Sequence, residues 1–160
     1  MDRGRVMEDE SKSESRRILA VDYGRRRVGL AISDPTGTIA TGLPTLEVRG
    51  VADAVARIAA ARTELEYQRI VVGLPLRTSG EAGEMAVEVV KFANALRVAT
   101  NVPVETVDER FTSSEALRML HQTGRKLKGN KGQIDGLAAQ VLLRNYLEML
   151  PPSRESSPDE

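Results

Sequence analysis

Three apolar runs, joined by connections too short to hold a helix, open the foldable part of this chain. They are Ile18 to Asp22, Arg27 to Ser33 with Val28, Leu30 and Ile32 alternating, and the weaker Thr38 to Leu46. Tyr23-Gly24-Arg25-Arg26 turns the chain between the first two, and Pro35 and Gly37 break it between the second and third. A parallel return needs a crossover of a dozen or more residues, so these strands form an antiparallel meander. The unbroken run Ile18-Leu19-Ala20-Val21 is that of a strand covered on both faces. Pro44 cannot donate to a ladder, which favours the sheet edge for the third strand.

The period then changes. Val51, Val55, Ile58, Ala59 and Leu65 mark a helix, and Arg69 to Leu74 is a strand ended by Pro75. Ala82, Met85, Ala86, Val89, Ala93 and Leu96 keep the three-and-four spacing of an amphipathic helix, and Val102 to Val107 is a fifth strand. Thr112-Ser113-Ser114-Glu115 is a capping box opening a helix to His121, with Phe111 placed for a hydrophobic staple. Gly124 to Gly132 is a glycine- and lysine-rich loop, and Gln133 to Leu150 forms the last helix. The order β-β-β-α-β-α-β-α-α, with right-handed crossovers, predicts an α/β fold. Its sheet is five-stranded and mixed, the first three strands antiparallel, with helices on both faces and strand one central beside strand four. In such open sheets, sites form at the carboxyl ends of strands near a switch in strand order.

Residues 1–15 and 151–160 are polar, without periodicity, and are expected to be disordered tails around one domain of residues 16–150. The tails hold eight acidic and four basic side chains, so of 23 of each the domain keeps 15 acidic and 19 basic. A mildly cationic body permits a polyanionic partner without demanding one. There is no cysteine, which excludes disulfides, thiolate ligands and a cysteine nucleophile and fits a reducing cytoplasm. No apolar run reaches the roughly 20 residues of a membrane span, and no signal-peptide pattern opens the chain. A cytoplasmic protein is expected.

Three acids stand where an ordered backbone could aim them. Asp22 ends the first strand, Glu109 follows the fifth, and Asp135 lies in the first turn of the last helix. A carboxylate beside buried apolar residues costs stability unless paired, hydrogen-bonded or bound to a metal, so three of them suggest an oxygen-ligand site for a divalent cation. At about 100° per residue Asp135 falls between Leu142 and Tyr146, with Ala138 and Ala139 on the same stripe and Gln133, Gln140 and Arg144 on the polar side. The macrodipole favours an acid early in a helix but does not explain an inward direction. Asp22 followed by Gly24 is ordinary turn chemistry, yet glycine there also lets backbone approach a ligand. Strand alternation sends Asp108 and Glu109 to opposite faces, and the residues alone leave open which one faces the site.

Basic residues concentrate beside these acids. Arg25, Arg26 and Arg27 follow Asp22, while Arg125, Lys126, Lys128 and Lys131 crowd the loop before Asp135. Such runs are commonly solvated surface, but next to a metal site they suit contacts to a phosphate backbone. With two Phe, three Tyr and no Trp, base stacking is not the expected recognition mode. His121, the one histidine, falls near a helix end with no serine–histidine–acid arrangement, and no phosphate-binding Gly-Lys-Ser/Thr loop exists.

The blocks ILAVDYGRRRVGLAISD, IVVGLPLRTSGEAGEMAVEVVKFANALR, VDERFTSSEA and KGQIDGLAAQVLLRNYL resemble successive blocks of the YqgF family, also called RuvX, over about residues 17–149. The resemblance implies an RNase H-like fold and a Mg²⁺- or Mn²⁺-dependent nuclease. Position by position, it places the family's catalytic and metal-binding acids on Asp22, Glu109 and Asp135, choosing Glu109 over Asp108. Arg25, Arg26, Arg110, Arg125, Lys126, Lys128 and Lys131 are the expected nucleic-acid contacts. Where the family commonly has a small residue after Asp-x-Gly this chain has Arg25, so no small hydroxyl acts there. One or two cations, about 4 Å apart if two, would activate water and stabilise the leaving 3′ oxygen.

The implied substrate is the 5′ end of the 16S ribosomal RNA precursor, free or in a ribosomal precursor particle. Two alternatives stand beside it: a Holliday junction resolvase acting on branched DNA, and a non-catalytic RNA-binding assembly factor. A resolvase needs a dimer with two sites; the sequence shows no obvious dimer surface, and a monomer or weak homodimer is expected. An actin-like ATPase would need two such domains, and the chain has room for one.

Overall fold

The computed structural model describes residues 17–75, 80–108 and 131–150. Within them the elements run β1 (Ile18–Asp22), β2 (Arg27–Ser33), β3 (Ala40–Glu47), α1 (Val51–Ala60), α2 (Arg62–Leu65), β4 (Arg69–Leu74), α3 (Gly80–Thr100), β5 (Val104–Asp108) and α4 (Lys131–Met149). The strands form one sheet in the order β3-β2-β1-β4-β5. β1 pairs antiparallel with β2 and parallel with β4, β2 antiparallel with β3, and β4 parallel with β5. The meander, the central β1 and the edge position of Pro44 are those expected from sequence. Three residues of β3 span the register interval of two in β2, a bulge that falls at Pro44 and Thr45, where the missing N–H breaks the ladder.

Burial follows from alternation. On one face Leu19, Val21, Val28, Leu30, Ile70 and Val72 pack against Ala54, Val55 and Ile58 of α1 and Val89, Phe92 and Leu96 of α3. On the other, Ile18, Ala20, Ala31, Val71 and Val107 pack against Ala139, Leu142, Leu143 and Tyr146 of α4. β1 is covered on both sides, Leu19, Ala20 and Val21 being fully buried, which is why its run is apolar throughout.

The sequence stripe from Val51 to Leu65 is two helices, because the turn at Ala61 separates α1 from the single turn of α2, which ends with Glu66 in the left-handed region. α3 also ends on a left-handed residue, Asn101, whose N–H donates to the Arg97 carbonyl at 2.9 Å. α4 starts at Lys131 rather than Gln133, so Lys131 and Gly132 belong to helix and not to the preceding loop. The expected helix Thr112 to His121, with its capping box and staple, lies outside the described residues, as do both tails. Among the described residues no helix is long and apolar enough to cross a membrane.

Asp34 closes the β2–β3 connection. Its Oδ1 accepts the N–H groups of Thr38 and Ile39, both at 2.8 Å, and its Oδ2 accepts from the N–H and hydroxyl of Thr36. Burial works to raise this carboxyl's pKa, but the hydrogen bonds outweigh it and hold the group at about 2. A folded-state value below the unfolded one adds stability above the ordinary carboxylate pKa, and that stability is lost as pH falls through the folded value. Asp34→Asn is therefore expected to narrow its stability gap from wild type between about pH 4 and pH 2. Thermal melts across that window read the difference directly; a gap that stays constant would remove Asp34 from the acid response.

Candidate active site

β1 delivers Asp22 to the carboxyl end of the central strand. Ile18 and Ala20 face α4, so alternation turns Asp22 to that same face, while Leu19 and Val21 face α1 and α3. Asp22 is half-buried, and its cross-strand partner is Gly29. Beyond the parallel pair Val21–Val72, the next residue of β4 is Gly73. The carboxylate thus sits between strand positions that carry no side chain, on the covered face at the carboxyl end of the strand. An oxygen ligand so placed fits a hard divalent cation.

β5 resolves the choice between neighbouring acids as far as Asp108. Tyr146 of α4 donates its hydroxyl to Glu105 at 2.8 Å and Val107 packs against α4, so positions 105 and 107 face α4. Burial and the bond to Glu105 push the Tyr146 hydroxyl up to about 12. Asp108 then faces the opposite side, in register with Leu74, which packs toward α1 and α3. Asp108 and Asp22 lie on different faces. Glu109 lies outside the described residues.

α4 carries Asp135 as its fifth residue. Because the helix begins two residues earlier than expected, its first turn holds no acid, and the macrodipole, which acts within that turn, does not account for Asp135. The stripe to which this position belongs, Ala139, Leu142 and Tyr146, is buried against the sheet on the Asp22 face. Backbone contact docks the start of the helix on β3. A Cβ on Gly136 would lie 2.6 Å from the Leu43 carbonyl oxygen, and one on Gly42 would lie 3.2 Å from that of Gly136. Gln140, expected on the polar side, instead reaches the sheet and donates to the Ala40 carbonyl at 2.9 Å. Arg144 is exposed as expected. The side chain of Asp135 lies outside the described residues, and among those described no group of three His, Cys, Asp or Glu forms a metal cluster.

The hairpin after Asp22 is anchored to α3. Tyr23 is buried with its ring 4.5 Å from that of Phe92, and its hydroxyl donates to Glu88 at 2.6 Å. Arg25 Nε meets the other oxygen of Glu88 at 2.9 Å. Hydrogen bonds from Tyr23 and from Arg25 hold the Glu88 carboxylate below its usual range, and burial, then the bond to Glu88, raise the Tyr23 hydroxyl. Gly24 serves the turn itself: a Cβ there would lie 2.5 Å from the Arg27 carbonyl oxygen. No local pattern in the sequence singles out Glu88; only packing brings it to the hairpin.

Of the expected nucleic-acid contacts, Arg25 and Arg26 are exposed in this turn. Arg110, Arg125, Lys126 and Lys128 lie outside the described residues, as does the side chain of Lys131. Asp22 and the backbone bearing Asp135 are thus brought to one face of the sheet, and Arg25 and Arg26 are exposed in the turn that follows Asp22.

The family described as RuvX, Holliday junction resolvase, matches residues 16–149. A protein of Chloroflexus aurantiacus named "Putative pre-16S rRNA nuclease" is 43% identical over 142 residues, 89% of this chain and 90% of its own. One of the same name from Crocosphaera subtropica is 41% identical over 130 residues, 81% of this chain and 91% of its own. Among solved structures, Thermus thermophilus RuvC in complex with a Holliday junction aligns with TM-score 0.56 at 18% identity, over 84% of this chain and 96% of that one. The fowlpox virus Holliday junction resolvase aligns with TM-score 0.52 at 14% identity, over 84% and 99%. At such identities the structural likeness shows the fold, which is RNase H-like.

Proposed function

Because the chain belongs to the RuvX family, we propose that it is a nuclease that uses a divalent cation, Mg²⁺ or Mn²⁺, to process the 5′ end of the 16S ribosomal RNA precursor. The observation that carries the reading is the placement of Asp22 at the carboxyl end of β1, on the face where α4 bears Asp135. The pre-16S rRNA nuclease name carried by relatives that match along most of their length supports the substrate.

Asp22, Glu109 and Asp135 would hold the cation, which lowers the pKa of an attacking water and offsets charge on the phosphate. Asp108 faces away from Asp22, which supports Glu109 as the acid from that pair. The rigid β1 backbone orients Asp22, and the turn fixed by Glu88 presents Arg25 and Arg26 to a phosphodiester backbone. No covalent enzyme intermediate is required.

Wild-type protein with Mn²⁺ or with EDTA, incubated with labelled RNA spanning the mature 5′ end and with a four-way DNA junction, tests this reading. Metal-dependent cutting of the RNA is the expected result. Symmetric paired cuts in the junction alone would make the chain a resolvase, as the family description suggests. Binding without cutting of either would make it an assembly factor.

A further inference from the structure

A groove of about 990 Å³ opens where the β1–β2 turn, the end of β3 and the start of α1 meet. Five arginines line it: Arg25, Arg26 and Arg27 from the hairpin, Arg49 after β3, and Arg57 from α1. Its acids are Glu47 and Glu88, and Glu88 is already engaged by Tyr23 and Arg25. Arg57 and Glu88 come from the helices on the side of the sheet away from α4, so the groove lies around the hairpin from the face of Asp22.

Asp53 ties two of these arginine positions together. Asp53 accepts the backbone N–H of Arg49 at 2.9 Å and meets Arg57 Nε at 3.3 Å, so one carboxylate positions the Arg49 backbone and the Arg57 side chain. The side chains of Arg25 and Arg57 remain more than half exposed. Gly50, which opens α1 without a side-chain cap, also lines the groove and has nothing within 4 Å of where a Cβ would stand. An open channel lined by planar guanidinium forks suits successive phosphates of a chain better than a single small ligand.

We propose that this groove binds the phosphodiester backbone of the RNA strand at a distance from the scissile phosphate, with Arg27, Arg49 and Arg57 extending the contact begun by Arg25 and Arg26. The proposal rests on the nuclease reading for the identity of the strand, and Arg25, three residues after Asp22, joins the two regions. Contacts that hold the substrate equally before and during reaction act on KM and not on kcat, and the groove contacts are expected to be of this uniform kind.

The test is binding of single-stranded RNA to intact protein in EDTA, across a salt series, for wild type and for Arg49→Ala with Arg57→Ala. Affinity at low salt is expected to fall on the order of tenfold, and the salt slope to become shallower by about 1.4, two single-strand phosphate contacts. With metal present, KM rises and kcat holds. Arg49→Lys with Arg57→Lys keeps the charges and should keep most of the slope. Because Arg57 is paired with Asp53 within α1, Arg49→Ala alone, which removes only an exposed side chain and keeps the backbone bond to Asp53, is the second variant that separates binding from folding.

Folded variants with unchanged affinity and slope would overturn the proposal, and so would polyglutamate binding as tightly as RNA. Failure of the two readings is separable. If wild type cuts nothing yet the variants lose RNA, the groove stands and the nuclease falls. If wild type cuts and the variants bind as before, the groove alone falls.

Discussion

Asp22→Asn is expected to abolish cleavage while leaving the fold and RNA binding nearly intact. Removing a group that only orients a metal ligand costs up to roughly 100-fold, so removing a ligand itself should cost more. The fold should survive because Asp22 is only half-buried, at the end of its strand, and its cross-strand neighbour is Gly29. Asparagine keeps the size and removes the charge, which relieves repulsion among the proposed ligands. Cleavage rates at saturating RNA, with affinity measured in EDTA, separate the two effects. A variant that cuts at the wild-type rate would end the metal assignment of Asp22.

Gly136→Ala should lower both stability and activity. The new Cβ would stand 2.6 Å from the Leu43 carbonyl oxygen, a backbone atom with no rotamer to escape into. Overpacking of this kind costs about 1 to 3 kcal/mol, a fall in Tm of several degrees for a domain of this size. Relief requires the start of α4 to lift from β3, carrying the backbone of Asp135 with it. A displacement of about 1 Å at a catalytic group can cost on the order of 100-fold in rate. Gly42→Ala, whose Cβ would lie 3.2 Å from the Gly136 oxygen, should show a milder form of the same defect. Melting curves and initial rates for the two variants give the ranking. Wild-type values for Gly136→Ala would mean that α4 does not dock through this contact.

Both effects are transmitted through the sheet. β1 is apolar from Ile18 to Val21 because both faces are covered. It therefore lies centrally, and its last residue reaches the carboxyl edge of the sheet. Alternation then assigns a face to every strand residue and distinguishes Asp22 from Asp108.

Strand order, the antiparallel meander, the edge position of Pro44 and the inward stripe of α4 were legible in the sequence, because each follows from local rules. Short connections force antiparallel return, crossovers have one hand, and apolar residues repeat with the period of the element that buries them. The positions of Asp22 and of the α4 stripe followed from the same rules. The tertiary structure decided what depends on residues far apart in the chain. It placed Glu88 of α3 against Arg25 across 63 positions, turned Gln140 to the Ala40 carbonyl, and gathered Arg49 and Arg57 beside the hairpin. It also gave Gly42 and Gly136 their shared role, since the need for glycine arises only where two backbones meet. Period and propensity are properties of neighbours along the chain, whereas these contacts depend on how whole elements pack, which no window of sequence contains.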